Sequence, residues 1–187
     1  MGDMTQRDDL ARLDLSALRI IHYPDPRLQE PARPVEAVDA SLAPLVERMF
    51  ELLLAARGVG LAAPQVGLSL RLFVACLPGQ EADRRVYVNP RLLSWEGQME
   101  EDEGCLSVPG LTCRLKRFAR VTIEAADLTG RTFQETGEDL AARLFQHETD
   151  HLDGRLIVDR MGSLARLAHR QALKDLREQF EEKQTGS

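Results

Sequence analysis

Apolar residues along this chain fall at helical spacing in some stretches and alternate with polar ones in others. Leu42, Leu45, Val46, Met49, Leu52 and Leu53 predict a helix over about 41–57, with Gly58 as its stop. A second helix is expected over about 138–152, ending near Gly154. A third is expected over about 163–182, where Leu164, Leu167, Ala168, Leu173, Leu176 and Phe180 form one stripe that packs on the body of the domain or on another subunit. Short apolar runs at 71–76 and 85–88 read as strands, the second stopped by Asn89-Pro90, and 91–99 reads as another. Residues 121–126 and 131–135 flank the turn 127–130, which is a hairpin signal. Residues 58–67 read as a loop interrupted by Gly and Pro, residues 22–28 as an extended or turning segment, and 1–19 as a poorly ordered N-terminal arm. A helix, then antiparallel-type strands, then helices make an α+β fold. The whole chain, 1–187, suits one domain, with 163–187 as a C-terminal helix and tail.

Composition narrows the class. The net charge is -6, so a broad nucleic-acid surface is not expected, although a local basic patch could still touch a ribosome. No run approaches the ~20 apolar residues that span a bilayer, and the charged start has no apolar core of a secretory signal. The three cysteines, Cys76, Cys105 and Cys113, are too few and unevenly placed for a disulfide framework, so a cytoplasmic, reducing setting is expected.

The most informative residues are His147-Glu148-Thr149-Asp150-His151. Residues four apart on a helix sit one turn above each other, so both imidazoles can reach one cation. Glu148 is rotated by about 100° from His147 and can flank the cation without ligating it, as a general base requires. A third ligand is needed. The metal motif extended by a third histidine fails, because Ile157 stands at that position, and no Glu lies between Glu148 and Glu178. His22 and His169 lack partners at ligand spacing. A cysteine remains. Cys105 lies in a Gly/Pro-bounded segment where its side chain can project, Cys76 ends an apolar strand and suits burial, and Cys113 has no obvious metal partner.

The chain resembles the peptide deformylase family through three separated segments: GVGLAAPQ (58–65), EGCLS (103–107) and QHETDH (146–151), with HYPDPRL (22–28) also similar. The resemblance covers roughly residues 20 to 160. It implies one catalytic domain whose compact antiparallel strands surround the H-E-x-x-H helix. It implies Cys105, His147 and His151 as ligands of one divalent metal, Fe(II) in cells, with Zn, Ni or Co able to replace it. It also implies Glu148 as catalytic acid and base, and Gln65 with the backbone N–H of Leu106 facing the substrate oxyanion. The implied reaction is removal of the N-formyl group from formyl-Met nascent peptides. Val59, Leu140 and Leu144 are then expected as apolar walls for the methionine side chain, with Gly60 and Gly104 where the peptide backbone comes close and Arg143 on the same helix face as His147. Thr112 departs from the resemblance, since many of these proteins carry there an arginine that touches the peptide. The rival readings are a related hydrolase of a different N-acyl peptide, an ordinary metallopeptidase, and a binding protein with a vestigial metal site. The presence of Glu148 and Gln65 beside all three ligand types argues against the last.

Overall fold

The computed structural model describes residues 6–78 and 83–185. Its elements are α1 (Gln6–Ala11), α2 (Ala43–Ala55), β1 (Gly60–Ala62), β2 (Leu72–Ala75), β3 (Arg85–Glu96), β4 (Met99–Gly104), β5 (Thr112–Arg117), β6 (Arg120–Ala126), β7 (Thr132–Glu138), α3 (Asp139–Leu152), α4 (Ile157–Arg160), α5 (Ser163–Ala168) and α6 (Arg170–Thr185). Five strands form an antiparallel sheet in the order β1-β2-β3-β6-β7, and among the described residues β4 pairs only with β5, in a separate ribbon. The α+β expectation holds.

Helix α2 forms where the apolar spacing required it. Leu45, Val46, Met49, Phe50 and Leu53 are buried on one stripe, and burying each such side chain contributes about 1.5–3 kcal/mol. Its end differs from expectation. Arg57 N–H donates to Leu54 O and Gly58 N–H to Leu53 O, both at 3.0 Å, the paired bonds of a Schellman cap. The left-handed residue of that cap is therefore Arg57, with φ 53°, and not Gly58. A side chain in that conformation costs roughly 1–2 kcal/mol that glycine would avoid. Gly58 is small for a different reason: an added Cβ would lie 2.8 Å from both Leu106 Cδ1 and Leu53 Cδ1.

Several other expectations change. The N-terminal stretch is not a loose arm throughout: α1 forms, and Leu10, Leu13 and Leu15 pack against the core around buried Leu18. Arg48 of α2 ties this stretch down by donating to the carbonyls of Leu15 and Leu18, each at 3.1 Å. Asn89-Pro90 does not end a strand. β3 runs through it with a shift in register, Asn89 adopting φ 51° while its amide bonds both N–H and C=O of Val35. The acidic run at 100–103 is strand β4, and β5, unanticipated, is its partner. Part of the expected loop at 58–67 is strand β1 followed by a short 3-10 turn.

The hairpin at 127–130 forms as expected between β6 and β7, with Gly130 at φ 82°. The third helix is broken at His169 into α5 and α6, and its stripe divides. Leu173 is buried and Leu176 packs beside it, whereas Leu164 and Leu167 are 82% and 66% exposed. Arg177 fastens α6 to the body by donating to the Tyr23 hydroxyl at 2.6 and 2.9 Å. Helix α3 lies across the five-stranded sheet, touching β7, β6, β3 and β1, with Ala142, Leu144, Phe145 and Leu152 in the core.

Candidate active site

Helix α3 is unusual in what it buries. Gln146, Glu148, Thr149, Asp150 and His151 are all buried alongside its apolar stripe. A half-buried loop reaches it: the chain after β4 carries Cys105 to the two imidazoles. Cys105 Sγ lies 3.2 Å from His151 Nε2, His151 Nε2 lies 3.2 Å from His147 Nε2, and the three ligand atoms are all within 4.8 Å of one another. Donors sharing a tetrahedral cation at 2.0–2.3 Å stand about 3.3–3.6 Å apart, so this set fits a small divalent ion. Neither Cys76 nor Cys113 belongs to the cluster; both are buried among apolar side chains.

The ring of His147 is fixed from behind. Its Nδ1 lies 2.7 Å from Glu103 Oε1, which leaves Nε2 to face the cluster. Burial alone would push the Glu103 carboxyl up, but His147 and Arg117 hold it down at about 2. Arg117 grips Glu103 with two bonds, at 2.6 and 3.1 Å, and reaches Asp150 Oδ2 at 2.6 Å. Arg160 closes the row by bonding both oxygens of Asp150. Two carboxylates and two guanidiniums thus balance beneath the site, with Arg117 and Glu103 buried, and removing one partner of such a set is strongly destabilising. The two imidazoles diverge. Burial opposes charge on both, but Cys105, Glu103 and Glu148 raise His147 well above the ordinary value, while burial and the neighbouring His147 keep His151 well below it.

Glu148 points beside this cluster. It is pushed up to about 7, chiefly by burial, and its Oε2 has no partner among the described residues. The backbone of Gly60 lies against it: a Cβ there would stand 2.4 Å from Glu148 Oε1 and 2.8 Å from its carboxyl carbon. Gly60→Ala is therefore expected to fold but to displace the Glu148 carboxyl and lower kcat at least tenfold, checked by turnover alongside thermal melting. Wild-type turnover in that variant would show the contact to be immaterial.

Gln65 is 1% exposed. Its Oε1 accepts from Ala62 N at 2.8 Å, so its Nε2 is turned outward, donating to Ser107 Oγ at 3.2 Å and toward Cys105 Sγ at 3.8 Å. The backbone N–H of Leu106 has no acceptor among the described residues. Both donors open onto a cavity of about 610 Å³ that also meets Cys105, His147 and Glu148. Val59, Gly60, Gly104, Leu140, Arg143 and Leu144 line the same cavity, as do Thr112 and Arg57, while His151 lies behind it. Arg143 Nη1 donates to the carbonyl of Asp102 at 3.2 Å.

Sequence reasoning missed Glu103, Arg117, Asp150 and Arg160 as a supporting set. A signal existed for one of them: Cys113, Leu115 and Arg117 alternate on the buried face of β5, so a charged residue stood at an inward position.

A family profile described as polypeptide deformylase matches residues 17–167. The chain is 46% identical over 149 residues to a peptide deformylase of Acidobacterium capsulatum, covering 79% of this chain and 88% of that protein. It is 42% identical over 153 residues to one of Pseudomonas aeruginosa, covering 81% and 91%. Among solved structures, a peptide deformylase from Legionella pneumophila superposes with a TM-score of 0.80 at 44% identity, covering 91% of this chain and 99% of the other. One from Arabidopsis thaliana, in complex with an inhibitor, gives 0.84 at 39%, covering 89% and 93%.

Proposed function

The chain belongs to the peptide deformylase family, and from that premise we propose how its residues remove the N-formyl group from nascent proteins. The family is metal-dependent, and Cys105, His147 and His151 would hold the ion. One thiolate and two imidazoles accept ferrous iron as well as zinc, nickel or cobalt, and we take Fe(II) as the ion of this protein in cells. A divalent cation in that position supplies Lewis acidity and a water of lowered pKa.

The protein's own groups do the rest. Glu148 takes a proton from the attacking water and returns it to the amine as the carbon–nitrogen bond breaks, so that formate and a free N-terminus leave. Gln65 Nε2 and the Leu106 N–H donate to the formyl oxygen as it gains charge; losing one such donor typically costs roughly 2.7–4 kcal/mol of barrier. Val59, Leu140 and Leu144 form the apolar wall for the methionine side chain, and Gly60, Gly104 and Arg143 lie along the bound peptide. The formyl group is small, so the methionine contacts supply binding energy that orients it. The whole chain acts as one catalytic domain, in the cytoplasm, where ribosomes deliver its substrate. Nothing in the comparisons favours a different acyl group.

The reading is carried by one observation, the convergence of Sγ and two Nε2 atoms within 4.8 Å beside the buried carboxyl of Glu148. Its test is formate release from formyl-Met-Ala-Ser by anaerobically purified protein, with metal content measured in parallel. Iron-loaded protein is expected to be active and to lose activity in air, because a thiolate beside a redox-active metal is oxidisable. Activity that survives long aerobic exposure would count against iron, and formyl-independent cleavage of internal peptide bonds would count against the reaction.

A further inference from the structure

Arg57 stands at the mouth of the cavity in an unusual state. Its backbone has φ 53°, a conformation that glycine adopts more readily, at the one position of the α2 cap where glycine is the common choice. Its side chain is exposed, and among the described residues the guanidinium has no carboxylate partner and no hydrogen bond. The other arginine of the cavity is held differently. Arg143 donates to the backbone carbonyl of Asp102, and both residues line the cavity. Among the described residues neither arginine of the cavity is in an ion pair, but Arg143 is held by a carbonyl whereas the exposed guanidinium of Arg57 is held by nothing.

Distance places it relative to a substrate. From Gly60, whose backbone touches Glu148, the chain climbs to Arg57 over three residues, at most about 10 Å of extended backbone. An extended peptide with its formyl group at Glu148 advances about 3.3–3.6 Å per residue, so a span of that size along the shared cavity corresponds to its second or third residue. We infer that Arg57 is a specificity-determining residue that favours an acidic side chain at the second or third position of the formylated peptide. The inference rests on the cavity being the peptide site proposed above.

The test compares kcat/KM for C-terminally amidated formyl-Met peptides that carry Glu, Lys or Ala at the second or third position. An exposed ion pair of this kind is expected to favour Glu over Lys by about three- to fivefold at low ionic strength, mainly through KM, and to flatten at about 0.5 M salt. Arg57→Gly is expected to bring the Glu-to-Lys ratio close to one, and Arg57→Glu to invert it. Relief of the left-handed strain should raise the melting temperature of Arg57→Gly by about 2–4 °C, which separates loss of charge from loss of folding. A ratio that is the same in wild type, Arg57→Gly and Arg57→Glu overturns the inference while leaving the deformylase reading intact. If the wild-type protein fails to release formate from the uncharged alanine peptide, the deformylase reading falls and this inference with it.

Discussion

Replacing Glu148 with glutamine is expected to lower kcat by about 10²–10⁴-fold, the usual worth of a positioned general acid and base, while metal content stays near that of the wild type. The carboxyl sits beside the ligand atoms without being one of them, and its Oε2 holds no other group in place among the described residues. Stability should move the other way from activity. Glu148 is raised from 4.5 to about 7, so in metal-free protein the folded state resists its ionisation. The destabilisation sets in as pH rises from 4.5 and is complete above about 7. Metal-free Glu148→Gln should therefore unfold at higher denaturant than wild type at pH 8, with the advantage vanishing near pH 4. A variant that keeps its turnover, or that loses its metal, would remove Glu148 from the role assigned to it.

Glu103→Gln is expected to give the largest loss of stability. Its carboxyl is held at about 2 against an ordinary value of 4.5, which corresponds to about 3 kcal/mol in the ionised state. A depressed carboxyl stabilises fully above its unfolded value and loses that contribution as pH falls through the folded one. The deficit of Glu103→Gln should thus be complete above pH 5 and shrink between about 4.5 and 2. Chemical denaturation of metal-free protein at pH 7 and pH 3 measures it. Cobalt or zinc affinity should fall about 10- to 100-fold, because a neutral amide oxygen anchors the His147 ring through Nδ1 more weakly than the carboxylate does. Equal stability of variant and wild type at both pH values would show that the buried charge row does not act as described.

Much of this was legible in the amino-acid order, and the reasons differ by element. Helices α2 and α3 were readable because their apolar residues repeat with the period of one turn, and the imidazole pair was readable because two ligands four apart need no tertiary information. Cys105 was harder. Residue context favoured Cys105 over Cys76 and Cys113 without fixing it as a ligand; the resemblance implied that role, and the fold placed it in the loop after β4 and the other two among apolar side chains. The charge row was hidden because its members come from β4, β5, α3 and α4, and no local pattern joins Glu103 to Asp150. The end of α2 misled for a physical reason: glycine follows the helix, yet its smallness accommodates Leu106, and arginine carries the left-handed turn. Residues 163–182 show apolar periodicity outrunning structure, since the chain turns at His169 and leaves Leu164 and Leu167 facing outward.

The ribbon of β4 and β5 shares no ladder with the larger sheet, yet it leads into the loop that delivers the sulfur, while the imidazoles ride on the helix packed against that sheet. A cation between them would act as a rivet across this seam, with the row of carboxylates and guanidiniums as the stitching below it. Filling the site and closing the seam are then one equilibrium, so a chelator would loosen the joint between the two halves as it empties the centre.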